Sequence, residues 1–376
     1  MLKATANIAD LQKGLAQTSS IAGKFTSMPI LANVRLDASG GRLTLTATDL
    51  EITFQASYDA DVLEEGSFTV PAKALSDIAG SLSGNSATLE ELENLVLKVK
   101  TDYFTADLLG ISPDEFPKTA DTGSVTYTEF PSAQVADAVS KTIYSVAVGN
   151  TNFNLAGIFW VKEPLEDGRE TLKLVSTDNN RLNIATLAVD NLEAFLLDTG
   201  VLLSRKGLTE LKNLAETADK ISLGVNANNL VAKTENSLLI IRLLSGKFPN
   251  YQVLIPQQKG HSINLNRRDF TESLKRMSLI STGKFRVVYF QVNQDSLILT
   301  SSNPELGQAE EKIPVDYEGP VIDIGFDPRH LLEALGSLKS EIIQLELIDN
   351  SRPAVITGEN DPGYTGIITT ITPRDD

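Results

Sequence analysis

Histidines, cysteines and paired carboxylates are the side chains that most often carry chemistry, and this 376-residue chain uses them sparingly. It has two histidines, His261 and His330, in unrelated contexts, and no cysteine. The lack of cysteine excludes a thiolate nucleophile, thiolate metal ligands and disulfides. An imidazole acts as a general base where a nucleophile and an orienting group stand with it. Neither histidine has such neighbours in the sequence, so both read as structural or solvated. Asp49 with Glu51, and Glu310 with Glu311, are spaced to hold a divalent cation. Among 49 Asp and Glu such pairs arise freely, and they read as solvated faces. There is no G-x-x-x-x-G-K-[ST] phosphate loop, no G-x-G-x-x-G after a strand and no G-x-S-x-G elbow. The expectation is a protein with no catalytic site, metal or cofactor, serving as a scaffold, ring or binding module.

The elements that would position binding residues come from patterning. The formal charge is −16, from 33 Lys and Arg against 49 Asp and Glu. That excludes coating nucleic acid with the whole surface and leaves room for a local basic surface. No apolar run reaches the ~18 residues of a membrane span. The first residues lack the apolar core of a secretion signal. A cytoplasmic protein is expected.

Internal repeats decide the fold class. A strand leading into an amphipathic helix occurs three times. Asn7 and Asn266 read as N-caps with Asp10 and Asp269 three residues on, and Ser132 takes that place in the middle copy. The apolar stripes are Ile8, Leu11 and Leu15; Val135, Val139 and Ile143; and Phe270, Leu274 and Met277. Strand-like stretches follow at 29–36, 153–160 and 285–290. Next come the runs Leu43–Leu50, Leu172–Asn179 and Leu297–Pro304, each alternating apolar residues and ending in Thr or Ser with Asp or Asn, the mark of a strand entering a turn. A second helix in each copy has the stripe Leu75, Ile78, Leu82; Leu208, Leu211, Leu214; or Leu331, Leu335, Leu338. Phe116-Pro117 and Phe248-Pro249 close the first two copies. Units of this size exceed the ~20–50 residues of solenoid repeats. The expected fold class is α+β, with domains at 1–124, 125–254 and 255–376, each two helices on antiparallel sheet.

The chain resembles a known family, the bacterial DNA polymerase III beta subunits or sliding clamps, over nearly its whole length. The resemblance rests on Met28-Pro29-Ile30-Leu31-Ala32-Asn33, the run Leu43 to Glu51, Thr69-Val70-Pro71-Ala72-Lys73, Phe116-Pro117, Gly246-Lys247-Phe248-Pro249-Asn250-Tyr251, Lys284-Phe285-Arg286, and Ser302-Asn303-Pro304-Glu305 followed by Ala309-Glu310-Glu311. Each piece is weakly specific alone; their order, spacing and total length are highly specific.

The resemblance implies three similar domains per chain and two chains joined head to tail in a ring around duplex DNA. Helices would line the hole and bind phosphates without reading sequence. Candidate DNA-facing cations are Lys13, Lys24 and Lys73; Lys141, Arg205, Lys206 and Lys212; and Arg267, Arg268, Lys275, Arg276 and Arg329. The dimer contact maps to Phe104 on one side and to Leu279 and Ile280 on the other. A pocket for short peptides of polymerases, the clamp loader and repair proteins maps to Leu155, Thr177, Arg181, Leu182, Pro249, Val253, Leu254 and Pro373. An ATP-dependent loader is implied as a separate protein, because the chain has no nucleotide loop. Two departures fall in the pocket: Asn179-Asn180 stands where Gly-His is common, and the tail from Thr370 to Asp376 is more polar than usual. They motivate an alternative, a clamp-like accessory protein with an altered pocket. A metal-dependent nuclease on the same scaffold is a further alternative, which would need a clustered carboxylate site.

Overall fold

The structure is a computed structural model, and it describes residues 1–23, 27–147, 149, 153–165, 168–189, 192–195, 197, 199–226 and 228–371. Six α-helices are found among the described residues: α1 (Ile8–Ile21), α2 (Ala72–Ser81), α3 (Ser132–Thr142), α4 (Arg205–Ala215), α5 (Arg267–Ile280) and α6 (Pro328–Ser337). The chain divides into two compact units. One comprises Met1–Ser132, Ala194–Leu196 and Asn213–Leu243, the other Ala133–Glu193, Leu197–Lys212 and Leu244–Asp376.

The first unit is built on one antiparallel sheet of twelve strands. Alternation creates it: in the strand Arg42–Thr48, Leu43, Leu45 and Ala47 are buried while Arg42 and Thr44 are only partly covered. Burying each Leu contributes about 2 kcal/mol. Helix α1 starts where the Asn7 side chain accepts the Ala9 N–H at 2.8 Å. Its Leu11 and Leu15 are buried against the sheet. A Cβ on Gly14 would stand 2.6 Å from the Leu45 side chain, so glycine permits this close approach. The long strand Ile52–Glu64 pairs along part of its length with Ser237–Arg242, far away in sequence.

The second unit holds an eight-stranded and a four-stranded antiparallel sheet. In the larger sheet Arg181–Leu187 pairs with Tyr364–Ile368. In the smaller, Phe290, Leu297, Leu299 and Ile324 form one core with Phe270, Leu274 and Met277 of α5 and Leu331 and Leu335 of α6. Thus each unit contains a sheet that joins strands from two of the repeats. An edge strand left open by one repeat is covered by a strand of the next.

Several expectations need correction. The stretches at 29–36 and 153–160 do not begin as strands. Pro29–Ala32 and Phe153–Leu155 are 3₁₀ turns, and the strands start at Asn33 and Gly157. Pro29 has no N–H to give a ladder and suits the first position of a helical turn. The third stretch becomes strand only at Val288. Ser132 is the first residue of α3, and its buried hydroxyl has no partner among the described residues, so it does not cap. Leu82 lies just beyond α2, whose buried stripe is Ala72, Leu75 and Ala79.

Candidate functional site

The repeated Thr-Asp turns set the local geometry. Thr48 donates its hydroxyl to the Ile52 carbonyl at 2.9 Å, and Thr177 donates to the Arg181 carbonyl at 2.7 Å. Asp49 accepts the backbone N–H groups of Glu51 and Ile52 at 3.0 and 2.7 Å. Asp178 accepts those of Asn180 and Arg181 at 3.0 and 3.2 Å. Both turns need a left-handed residue, Leu50 at φ 75° and Asn179 at φ 74°. Asparagine tolerates that conformation better than leucine does. The departure from glycine at Asn179 is therefore accommodated. The third copy turns differently: Asn303 accepts the Glu305 N–H at 2.9 Å, and Gly307 supplies the positive φ of 105°.

The second turn delivers Arg181. Its side chain is 8% exposed, and each of its three nitrogens donates a hydrogen bond. Nε donates to Asp178 at 3.0 Å, Nη1 to Glu333, and Nη2 to the Tyr144 carbonyl at 2.9 Å, while the guanidinium lies 5.1 Å from the Tyr144 ring centre. Behind it, Tyr144 donates to Asn183 at 2.7 Å and lies 2.7 Å from the Tyr364 hydroxyl. Burial pushes the Tyr144 phenol up to about 12, so this network is neutral at physiological pH. Burial, and then the Arg181 cation, hold His330 below the usual imidazole range.

Beside Arg181 lies an apolar cluster of Leu155, Val175, Leu182, Ile184, Leu202, Phe248, Tyr251 and Ile367. The Phe-Pro-Asn-Tyr segment is clamped to it: Phe248 stacks on Phe159 at 5.1 Å, and Tyr251 donates to Glu163. Asn250 accepts the Gln252 N–H at 3.3 Å and starts the turn Tyr251–Leu254. That turn presents Val253, 73% exposed, and Leu254, 46% exposed. Of the residues expected in the pocket, Leu155 and Leu182 are buried in this cluster, Thr177 and Arg181 are fixed by the turn, and Pro249, Val253 and Leu254 reach solvent. Pro373 lies outside the described residues.

The expected cations separate into groups. Lys13, Arg205 and Arg268 are exposed on α1, α4 and α5, and so is Lys206, which also has a partner. Lys212, on α4, is partly covered. Lys73, Lys275, Arg276 and Arg329 are exposed but paired with Asp77, Glu272, Glu311 and Asp327. Arg267 donates to the carbonyls of Ser340 and Leu335. Lys24 lies outside the described residues. Lys141 needs a correction: it is 4% exposed and held at 2.7 Å by both Asp137 and Asp361, so it is not offered to a polyanion. Its sequence signal was Asp137, four residues earlier on the same helix; Asp361 was invisible.

Charge divides between helices and the rest. The six helices carry eleven Lys and Arg against seven Asp and Glu, a surplus of four. The chain has 33 against 49, which leaves 22 against 42 outside the helices. Among the described strands, two of the sheet ends lie near the residues expected at the dimer contact. The strand Thr105–Leu109 ends the twelve-stranded sheet and Gly307–Pro314 ends the four-stranded one. Phe104, next to the first edge, is 39% exposed; Leu279, at the end of α5, is 73% exposed, with Ile280 partly covered. Among the described residues no group of three or more His, Asp or Glu is placed to hold a metal, and no helix is long and apolar enough to cross a membrane.

Comparison with known proteins identifies the family. Residues 2–120 match the N-terminal domain of the DNA polymerase III beta subunit, 129–250 its central domain and 252–371 its C-terminal domain. The Beta sliding clamp of Haemophilus influenzae is 30% identical over 342 residues, 90% of this chain and 91% of that protein. That of Vibrio cholerae is 27% identical over 362 residues, 96% of this chain and 97% of that protein. The DNA polymerase sliding clamp of Caulobacter crescentus superimposes with a TM-score of 0.91 at 26% identity, covering 99% of this chain and all of that one. The DNA polymerase III beta subunit of Thermotoga maritima gives 0.91 at 25% identity, with all of both chains covered. The fold is thus three clamp-type domains of helices on antiparallel sheet. The chain belongs to the DNA polymerase III beta subunit family, the beta sliding clamps, and its role is that of a sliding clamp, not of an enzyme.

Proposed function

We propose that two copies of the chain close head to tail into a ring around duplex DNA, and that the ring tethers the replicative polymerase to its template in the cytoplasm. The observation that carries this reading is the charge division: the helices are net positive in a chain of charge −16. Helices facing the DNA would hold phosphates through Lys13, Lys73, Arg205, Lys206, Lys212, Arg267, Arg268, Lys275 and Arg276, and the acidic remainder would face outward. Mobile phosphate contacts give retention without sequence preference, which suits sliding. The domains would run 1–124, 125–254 and 255–376.

Ring closure would join the open edge Thr105–Leu109 of one copy to Gly307–Pro314 of the other, with Phe104 against Leu279 and Ile280. Such a contact is heterologous and closes after two copies. Peptide motifs of DNA polymerase III, other polymerases and the clamp loader would dock over Leu155 and Leu182, between Val253, Leu254 and Arg181, with Thr177, Pro249 and Pro373 at the margin. Ring opening would fall to a separate ATP-dependent loader, since the chain has no phosphate loop. Sedimentation over a dilution series from micromolar to nanomolar tests the ring. The expected species has twice the chain mass of 40.7 kDa. A monomer throughout would overturn the self-closing ring.

A further inference from the structure

The strand Arg181–Leu187 pairs with Tyr364–Ile368, and the chain leaves that ladder at Ile368, opposite Arg181. The next residues are tied at two further points. Thr369 donates its backbone N–H at 2.9 Å and its hydroxyl at 2.6 Å to the Asn180 carbonyl, in the second Thr-Asp turn. Ile371 then exchanges two hydrogen bonds with Gly325: its N–H donates at 2.8 Å and its carbonyl accepts at 3.0 Å. Gly325 belongs to the strand Ile322–Phe326, which ends the four-stranded sheet and is paired on its other side with Val288–Val292.

The bridge makes a demand on the sequence. A Cβ on Gly325 would stand 2.7 Å from the Ile371 carbonyl oxygen, so glycine is what lets the two backbones meet. The reciprocal pair of bonds is the kind that joins antiparallel strands, but it is a single bridge, not a ladder. The Ile371 side chain is 37% exposed and belongs to neither apolar core of this unit. The contact therefore adds little to the core. Its consequence is geometric: it fixes where the chain end runs after it passes the turn that delivers Arg181.

An extended chain spans at most about 3.4 Å per residue. Pro373 follows Ile368 by five residues and Ile371 by two, so its reach is about 17 Å from the ladder alone and about 7 Å from the bridge. The volume open to it falls with the cube of that ratio, about fifteen-fold. A site margin that is already placed loses less freedom when a ligand arrives, and affinity rises accordingly. We propose that Gly325 and Asn180 are positioning residues of the peptide site, holding the chain end beside Arg181 before a peptide docks. Neither is among the residues assigned above to the pocket. The inference rests on the docking reading.

The test titrates the full-length chain into a fluorescein-labelled clamp-binding peptide from a bacterial replicative polymerase and follows anisotropy. Ile371→Pro removes the N–H that Gly325 accepts and should weaken the peptide by about three- to ten-fold. Ile371→Ala keeps that N–H and loses the side chain, and should bind within about two-fold of the unaltered chain. Thr369→Val removes the hydroxyl bond to Asn180 and should weaken binding by about two- to three-fold, and Thr369→Ser, which keeps the hydroxyl, should restore it. Thermal unfolding verifies that each variant is folded. In the unaltered chain the Ile371 amide should exchange with solvent at least about ten-fold more slowly than an unstructured amide. An unprotected Ile371 amide, unchanged affinity in folded Ile371→Pro, or an equal loss in Ile371→Ala would overturn the inference and leave the docking reading standing. An unaltered chain that binds no such peptide would overturn the docking reading, and the inference with it.

Discussion

The helices and the rest of the chain make opposite use of charge. The helices hold eleven cations against seven anions; outside them the ratio is 22 to 42. Within the helices a second contrast appears. Arg205 and Arg268 stand exposed on α4 and α5, whereas Lys141 on α3 is sealed between two carboxylates. A cation on a helix is thus available to a polyanion or committed to the fold, and burial with its partners decides which.

The sharpest way to break the second contrast is to unpair Lys141. Asp361→Ala leaves a buried ammonium short of one carboxylate and should cost about 3–5 kcal/mol in denaturant unfolding. If Lys141 behaved as a surface cation, the loss would stay below about 1 kcal/mol. The pair also has a pH signature. The hydrogen bonds of Lys141 and Ser340 outweigh burial and hold Asp361 below the usual carboxylate range, so its contribution is present above an unfolded pKa of about 3.9 and is lost as pH falls through the folded value. Burial works against the Lys141 ammonium, but Asp137 and Asp361 raise it on balance; its contribution is present below about 10.4 and is lost as pH rises through the folded value. Both contributions should be complete between about pH 4 and pH 10, and Asp361→Ala should lose the acid limb and shrink the alkaline one, which Asp137 still supports.

The first contrast is tested by charge reversal. Arg205→Glu, Lys206→Glu and Arg268→Glu together should weaken duplex DNA binding at low salt by more than about ten-fold. They should also flatten the log–log salt dependence by about 0.9 for each phosphate no longer neutralised. The same reversals at Lys118, Lys233 and Lys259, outside the helices, should leave affinity within about a factor of two. Equal losses from both sets would remove the distinction between helices and the remainder.

Smaller effects compare the two Thr-Asp turns. Leu50 and Asn179 adopt the same left-handed conformation. Leu50→Gly should stabilise by up to about 1 kcal/mol, because relief of the leucine strain exceeds the entropy cost of glycine. Asn179→Gly should change stability by less than about 0.5 kcal/mol, since asparagine already tolerates the turn. Smallest of all, Lys73→Ala removes only an exposed pair with Asp77 and should cost less than about 0.5 kcal/mol.

Much of this fold was legible in the sequence because the signals are local. The stripes of α1, α4, α5 and α6 are buried as their spacing requires, Asn7 and Asn266 cap as read, and Thr-Asp marks two turns with the same hydrogen bonds. The misreadings share another cause. Pro29–Ala32 and Phe153–Leu155 read as the starts of strands but are 3₁₀ turns, and composition alone does not separate a short turn from a strand. Lys141 was misread because its deciding partner, Asp361, is far away along the chain. Distance along the chain also hid the bridge between Gly325 and Ile371, which ties the chain end to the strand Ile322–Phe326.

The central claim is that the closed chain is linked to DNA by topology, with its helices lending only loose electrostatic hold. Threading tests it directly and needs no loader. The protein is mixed with linear duplex bearing biotin at both ends, streptavidin is added to block the ends, and the complex is moved to about 1 M salt, where phosphate contacts alone are screened. The account expects the protein to stay on blocked DNA and to leave when a restriction enzyme cuts it. Equal loss from blocked and unblocked DNA would contradict the ring.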